Sequence, residues 1–276
     1  MPENDDQIEL KTGVRDAAVA RAAQHTVQIQ YNDFGTPAAI GSGIILEVGS
    51  SLFVVTAAHV LDDATGLGAL TATGGLGKSD SIELKNRPAI LAGDPQDICL
   101  IGLDLEEKKN WRKLRPLHLG DLGVGDDQRP ENWYVMLGYP GQTFSPDPDA
   151  RIIRSQGFVY SSHAASDPEV LKRLDSGINV SVEWYPDANR GDWYPDDFVT
   201  PKGMSGCGIW RVPRVNIPAN LSAIRPDLVG IATHALTDHK VFVGTRIEHV
   251  LAVISGRFPN LANAINLSLP FSMRVK

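Results

Sequence analysis

Three residues whose types could carry nucleophilic chemistry sit in distinct local settings: His59 ends T-A-A-H, Asp97 opens D-I-C-L, and Ser205 lies inside G-M-S-G. A serine hydroxyl is a poor nucleophile until an imidazole takes its proton and a carboxylate orients that imidazole, so the three types belong together in acyl transfer. Their order along the chain, His then Asp then Ser, is one of three in which unrelated scaffolds assemble such a triad. Taken singly, each residue has a plainer explanation: a packed or capping histidine, a turn aspartate, a serine in a glycine turn.

The flanking residues favour chemistry. Leu52 to Ala57 (L-F-V-V-T-A) reads as a buried strand, which puts His59 where a rigid element runs out. Ile98 to Leu103 (I-C-L-I-G-L) is a second apolar run starting directly after Asp97. Asp94 is the competing carboxylate, but it lies in G-D-P, a turn signature. Gly203 lets the chain turn so that the Gly203 and Ser205 N–H groups can face one small cavity, as an oxyanion hole requires.

The elements that must position these groups are mostly short strands. Thr12 to Ala23 reads as an alanine-rich helix after a disordered 1–11. From His25 the chain becomes short apolar runs between Gly, Pro, Asn and Asp: T-V-Q-I-Q-Y, G-I-I-L-E-V, L-F-V-V-T-A, S-I-E-L, A-I-L-A and I-C-L-I-G-L. Pro116 to Asn132 is polar and turn-rich, a linker. A second series follows: W-Y-V-M-L-G, A-R-I-I-R-S-Q-G-F-V-Y, I-N-V-S-V-E-W, G-C-G-I-W-R-V, L-V-G-I-A-T and V-F-V-G-T. This is an all-β pattern of barrel or sandwich type. Arg246 to Ile254 reads as an amphipathic helix ending near Gly256, and the 257–276 tail is apolar enough to fold back on the body.

Around these motifs the chain resembles the trypsin-like (chymotrypsin-fold) serine peptidases of intracellular bacterial type, over roughly Val27 to Ser255. The resemblance rests on G-S-G-I-I (41–45), a hairpin at Gly49 to Ser51 and F-V-V-T-A-A-H-V-L (53–61), on V-M-L-G-Y-P-G (135–141), on L-V-G-I-A-T-H-A (228–235), and on V-F-V-G-T-R-I (241–247) before an apolar helix. It implies two six-stranded Greek-key β-barrels with a short N-terminal and a C-terminal helix. The division is then 1–24 tail and helix, 25–120 first barrel with His59 and Asp97, 121–245 second barrel with Ser205, and 246–276 closing helix and tail. It also implies a serine endopeptidase with His59, Asp97 and Ser205 catalytic and Gly203 and Ser205 as oxyanion donors. The substrate would be a protein or peptide, on the pattern of stand-alone stress or defence effectors. A catalytically idle binding module of the same fold is the alternative; it would have no need of all three groups together with Gly203.

The same resemblance lines the specificity pocket with Val199, Thr200, Thr233, His234, Ala235 and Lys240. Val199 stands where trypsins keep an aspartate, so cleavage after Arg or Lys is not expected. Thr200, His234 and Lys240 would suit an acidic side chain, and an apolar pocket with Lys240 in solvent is equally consistent. Met204 replaces the aspartate that secreted members place before the serine, which leaves constitutive competence or a switch by a partner or ligand. Viral relatives with a thiol nucleophile carry Cys at the position of Ser205, which argues against Cys207 as nucleophile. An α/β-hydrolase would need G-x-S-x-G and a histidine downstream of the serine.

Composition bounds the rest. The 276 residues carry a net charge of −7 and no Lys/Arg run, which gives nucleic acid no footprint. No apolar stretch reaches the length of a membrane span. Cys99 and Cys207 are the two cysteines, and with a polar M-P-E-N-D-D start they suggest reduced thiols in a cytoplasm. No His-x-x-x-His or Cys-x-x-Cys pattern points to a metal, and no cofactor is expected. W-Y-P-D at 184–187 recurs at 193–196 and reads as paired turns at a hairpin end or as an acidic aromatic rim. A calcium site from Asp187, Asn189 and Asp192 would lack a complete ligand set.

Overall fold

The computed structural model describes residues 5–33, 36–62, 69–74, 80–84, 87–111, 113–130, 132–141, 144–147, 152–155, 157–184, 201–212, 221 and 224–268. A helix, α1 (Asp5–Ala22), precedes the strands β1 (Thr26–Asp33), β2 (Thr36–Val48) and β3 (Ser51–Ala57), and a single helical turn, α2 (Ala58–Asp62), follows β3. Next come β4 (Ala69–Gly74), β5 (Asp80–Glu83), β6 (Ala89–Ala92) and β7 (Ile98–Leu103). The second half holds β8 (Trp133–Gly138), β9 (Phe144–Asp147), β10 (Ile152–Ser155), β11 (Phe158–His163), α3 (Pro168–Leu171), β12 (Asn179–Glu183), β13 (Gly208–Val212), β14 (Asp227–Leu236) and β15 (Val241–Arg246). Two helices, α4 (Ile247–Arg257) and α5 (Pro259–Ser268), end the described chain. Among the described residues no helix is long and apolar enough to cross a membrane.

The strands form two antiparallel sheets, ordered β5-β4-β1-β2-β3-β7-β6 and β11-β8-β13-β14-β15-β12, with β9 and β10 paired apart. An antiparallel bridge from Ala164 to Val182 joins the two ends of the second sheet, curling it into a barrel. The first sheet has seven strands rather than six. The extra one, β4, is A-L-T-A-T-G, whose small residues and neighbouring glycines read as loop, yet it pairs with β1 from Val27 to Asn32. The stretch expected as one strand from Ala150 is divided into β10 and β11 around Gly157. Helix α1 begins at Asp5 and not at Thr12; D-D-Q-I-E-L-K combines helix-forming residues with acidic ones at the positive end of the helix dipole.

Alternation along the strands explains why the central ones are apolar throughout. Ile45, Leu52 and Val54 face the interior of the first sheet with Val27, Ile29, Ile101 and Leu114. Their neighbours Ile44, Leu46, Phe53 and Val55 face the other way and pack with Leu137, Trp210, Leu228 and Ile231 of the second sheet. Strands β2 and β3 are therefore buried on both faces, and one apolar body spans the junction between sheets. The second sheet keeps its own interior, including Tyr134, Tyr160, Trp184, Met204, Cys207 and Phe242.

The linker crosses between sheets by two single bridges, Leu117 to Leu46 and Leu122 to Leu228. The terminal helices are exchanged. Val14 and Ala18 of α1 pack on Val135 and Val212 of the second sheet. Leu261 and Ile265 of α5 join the junction beside Ile44 and Leu46, with Leu261 lying over the Gly49 turn of the first sheet.

Candidate active site

Where β3 ends, α2 presents His59, and the loop before β7 presents Asp97. Asp97 takes three donors from the histidine side: its carbonyl accepts Ala58 N–H at 3.0 Å, and its carboxylate accepts His59 N–H at 3.1 Å and His59 Nδ1 at 2.7 Å. A carboxylate only accepts, so Nδ1 carries the proton and Nε2 offers a lone pair. Asp97 adopts a left-handed backbone conformation (φ 47°), and Gly93 O accepts both Gln96 N and Asp97 N. Aspartate tolerates that conformation better than most residues. From the second sheet, Thr245 Oγ1 donates to Gln96 O and ties this loop across the junction. Asp94 is an exposed turn residue.

Ser205 sits on a turn from Pro201 to Cys207, shaped by left-handed glycines at 203 (φ 94°) and 206 (φ 87°). A side chain at 206 would put its Cβ 2.0 Å from Ser42 O and 2.2 Å from Thr56 Oγ1, so glycine is needed there for close approach as well as for φ. Met204 N donates to Pro201 O and Gly206 N to Ala232 O, at 2.9 and 2.7 Å. The N–H groups of Gly203 and Ser205, which alternate with these, make no hydrogen bond among the described residues. Ser205 Oγ donates to Thr233 O at 3.1 Å.

The two halves of the site meet at Gly41. A Cβ there would lie 2.7 Å from Val60, the residue after His59, and 3.1 Å from Ser205 O. Beside Thr233, the His234 imidazole feels both His59 and Asp97. Burial is the main cause that lowers its pKa, His59 acts in the same direction and Asp97 opposes. The residue that accepts the Ser205 hydroxyl thus adjoins a group within the field of the His59–Asp97 pair.

No family model matches the chain, and no curated protein sequence does. Solved structures are similar to it in fold. The serine endoprotease from Yersinia pestis superposes with a TM-score of 0.52 at 12% identity, over 96% of this chain and 68% of that one. The structure of GrC superposes with a TM-score of 0.53 at 16% identity, over 86% of this chain and 95% of that one. The chain has the trypsin-like serine protease fold.

Within this trypsin-like fold, Met204 takes an apolar route. It is buried in the interior of the second sheet, and a Cβ at Gly138 would come within 2.8 Å of its Sδ. Packing thus anchors the Ser205 turn where a carboxylate would need a partner charge. Cys207 and Cys99 are buried and form no disulfide, and burial pushes the Cys207 thiol up to about 12, which makes it a poor nucleophile. Of the residues expected to line a specificity pocket, Thr233 is buried, with Oγ1 bonded to Val243 O and to His234 Nδ1. Ala235 packs against the interior of the second sheet. Lys240 is exposed in a left-handed conformation, its carbonyl accepting Trp184 N at 2.8 Å. Val199 and Thr200 lie outside the described residues, as do the repeated W-Y-P-D turns beyond Trp184 and the Asp187, Asn189 and Asp192 trio. Among the described residues no three His, Cys, Asp or Glu side chains are grouped to hold a metal ion.

Sequence reasoning passed over Ser42, Tyr139, Gly141 and Thr245, which hold the site's backbone. The available signal was Ser42 itself, a polar residue between two glycines directly before the apolar run 44–46 of β2.

Proposed function

We propose that this chain is a serine endopeptidase. Ser205 Oγ exchanges its contact with Thr233 O for His59 Nε2, gives up its proton there and attacks a peptide carbonyl. Gly203 N–H and Ser205 N–H receive the oxyanion, and collapse of the adduct passes the proton from His59 to the leaving amine. Water then attacks the acyl-enzyme by the same route, with His59 again as base. Asp97 keeps the proton on Nδ1 and stabilises the imidazolium that forms.

The observation that carries this reading is the pairing of a doubly bonded Asp97–His59 unit with two unused backbone donors that flank one serine. The trypsin-like fold and its similarity to a serine endoprotease support it. A protein substrate in a reducing compartment is the finer proposal, supported by two thiols left unbridged. Because Met204 anchors the turn by packing, competence without a cleavage event is part of the proposal.

Labelling with a fluorophosphonate tests it. Wild type is expected to label and Ser205→Ala to show none; His59→Ala is expected to lose labelling by about 10⁴-fold or more, as triads generally do. Labelling that is indifferent to Ser205 would instead make the chain a binding module of this fold.

A further inference from the structure

From Lys202 to Ser205, four successive peptide carbonyls are each taken by a hydrogen bond. Lys202 O accepts Gly141 N at 2.9 Å and Met204 O accepts Cys207 N at 3.0 Å. The other two belong to one residue of the opposite sheet: Gly203 O accepts Ser42 Oγ at 3.1 Å and Ser205 O accepts Ser42 N at 2.8 Å. In a trans peptide the carbonyl and the N–H point in opposite directions, so pinning a carbonyl also aims the donor on the same plane. The Lys202 and Met204 carbonyls share planes with the Gly203 and Ser205 N–H groups. The planes that follow each of these are the two held by Ser42.

Ser42 is itself fixed on every side. It is fully buried in β2, its Oγ accepts Tyr139 N at 3.0 Å, and its carbonyl accepts Thr56 Oγ1 at 2.7 Å. The glycines flanking it leave the room this requires. A Cβ at 41 would press on Val60 and Ser205 O, and a Cβ at 43 would come within 3.0 Å of Val54. Gly203 has no Cβ to restrain its own φ and ψ, so the plane between Gly203 and Met204 is oriented by its two hydrogen bonds, from Ser42 Oγ to the Gly203 carbonyl and from Met204 N to Pro201 O.

We infer that Ser42 is the positioning residue of the oxyanion site, aiming the Gly203 and Ser205 N–H groups by clamping the alternate carbonyls of the nucleophile turn. The inference rests on the peptidase reading above. It assigns the first sheet a second contribution beyond His59 and Asp97: without touching substrate, it sets the geometry of donors carried by the second sheet.

The test compares wild type, Ser42→Ala, Ser42→Cys and Ser205→Ala in fluorophosphonate labelling, resolving the maximal inactivation rate from the half-saturating probe concentration, with thermal melts of each. Ser42→Ala is expected to lower the maximal rate about a hundredfold, the cost of misplacing transition-state groups by about 1 Å. The half-saturating concentration should not change, because the probe's ground-state contacts are untouched. If Ser42→Ala does not fold, Ser42→Cys retains the volume with a weak donor and acceptor in place of the hydroxyl, and the same fall is expected. A wild-type maximal rate in the folded variant overturns the inference, and so does a loss confined to the half-saturating concentration. Absence of Ser205-dependent labelling in wild type would remove the reading beneath it, an outcome distinguishable from either.

Discussion

His25 makes the folded protein sensitive to mild acid, and the size of the effect follows from its surroundings. The ring is 1% exposed, lies with its centroid 5.8 Å from that of Trp210, and donates Nδ1–H to Arg115 O at 2.7 Å. Its Nε2 is buried with no partner among the described residues, so a proton added there creates a cation that nothing accepts. Burial, the largest cause, lowers the pKa from 6.5 to about 4; Arg21 and His118 act the same way, while the Arg115 carbonyl and Asp121 oppose. The unfolded chain takes up the proton near 6.5 and the folded chain resists until about 4, so stability falls as pH drops through that window and levels off below it. The full loss is about 3 kcal/mol.

His25→Phe keeps an aromatic ring and takes no proton. At pH 7 it is expected to be less stable than wild type by about 1 kcal/mol, for the bond to Arg115 O. Near pH 4.5 the order should reverse, because only the wild type's unfolded chain is stabilised by a proton that its folded form does not take up. Urea unfolding of both proteins at intervals from pH 7 to 4.5 measures this directly, and carboxylates common to both cancel in the difference. Parallel stability curves would refute the reasoning.

Three further outcomes are expected. Thr245→Val deletes the bond that ties the Gln96 carbonyl to the second sheet, so it should cost about 1 kcal/mol in urea unfolding and slow fluorophosphonate labelling severalfold as the Asp97 loop loosens; an unchanged labelling rate would count against that route. Gly206→Ala forces a Cβ against Ser42 O and Thr56 Oγ1 at a left-handed φ, so it should yield insoluble protein or a melt lowered by more than about 3 kcal/mol, and a stable variant would show that the two sheets can part there. Cys207, with its thiol raised to about 12, should resist iodoacetamide at pH 8 in the folded protein and react once urea unfolds it; rapid native alkylation would contradict its burial.

The apolar strands were legible because each of their faces meets a core: L-F-V-V-T-A has no polar alternation, since Leu52 and Val54 fill one interior and Phe53 and Val55 the junction. Strand β4 was not, because Ala, Thr and Gly carry little hydrophobic signal and its place comes from pairing with β1. At the site, Asp97 bonds His59 because it stands at the head of β7, beside the end of β3; the two runs and their ends could be read, while their pairing came from the fold. The left-handed turn that aims its carboxylate could not, nor could Thr245, which reaches it from well over a hundred residues away in sequence. Ser42 was visible as G-S-G but silent about purpose, since its partners Gly203, Ser205 and Tyr139 are all distant in the chain.

The exchange of terminal helices leaves each half of the polypeptide wearing the other's cover: α1 closes over the sheet built last, and α5 over the sheet built first. A strand break in the linker near Gly125 would therefore yield two fragments that each display a bare apolar flank and carry the piece that belongs on its counterpart. Such fragments should be recovered as a non-covalent pair when co-expressed and precipitate when produced singly, so that the Ser205 turn and the His59 end of β3 are assembled in one event.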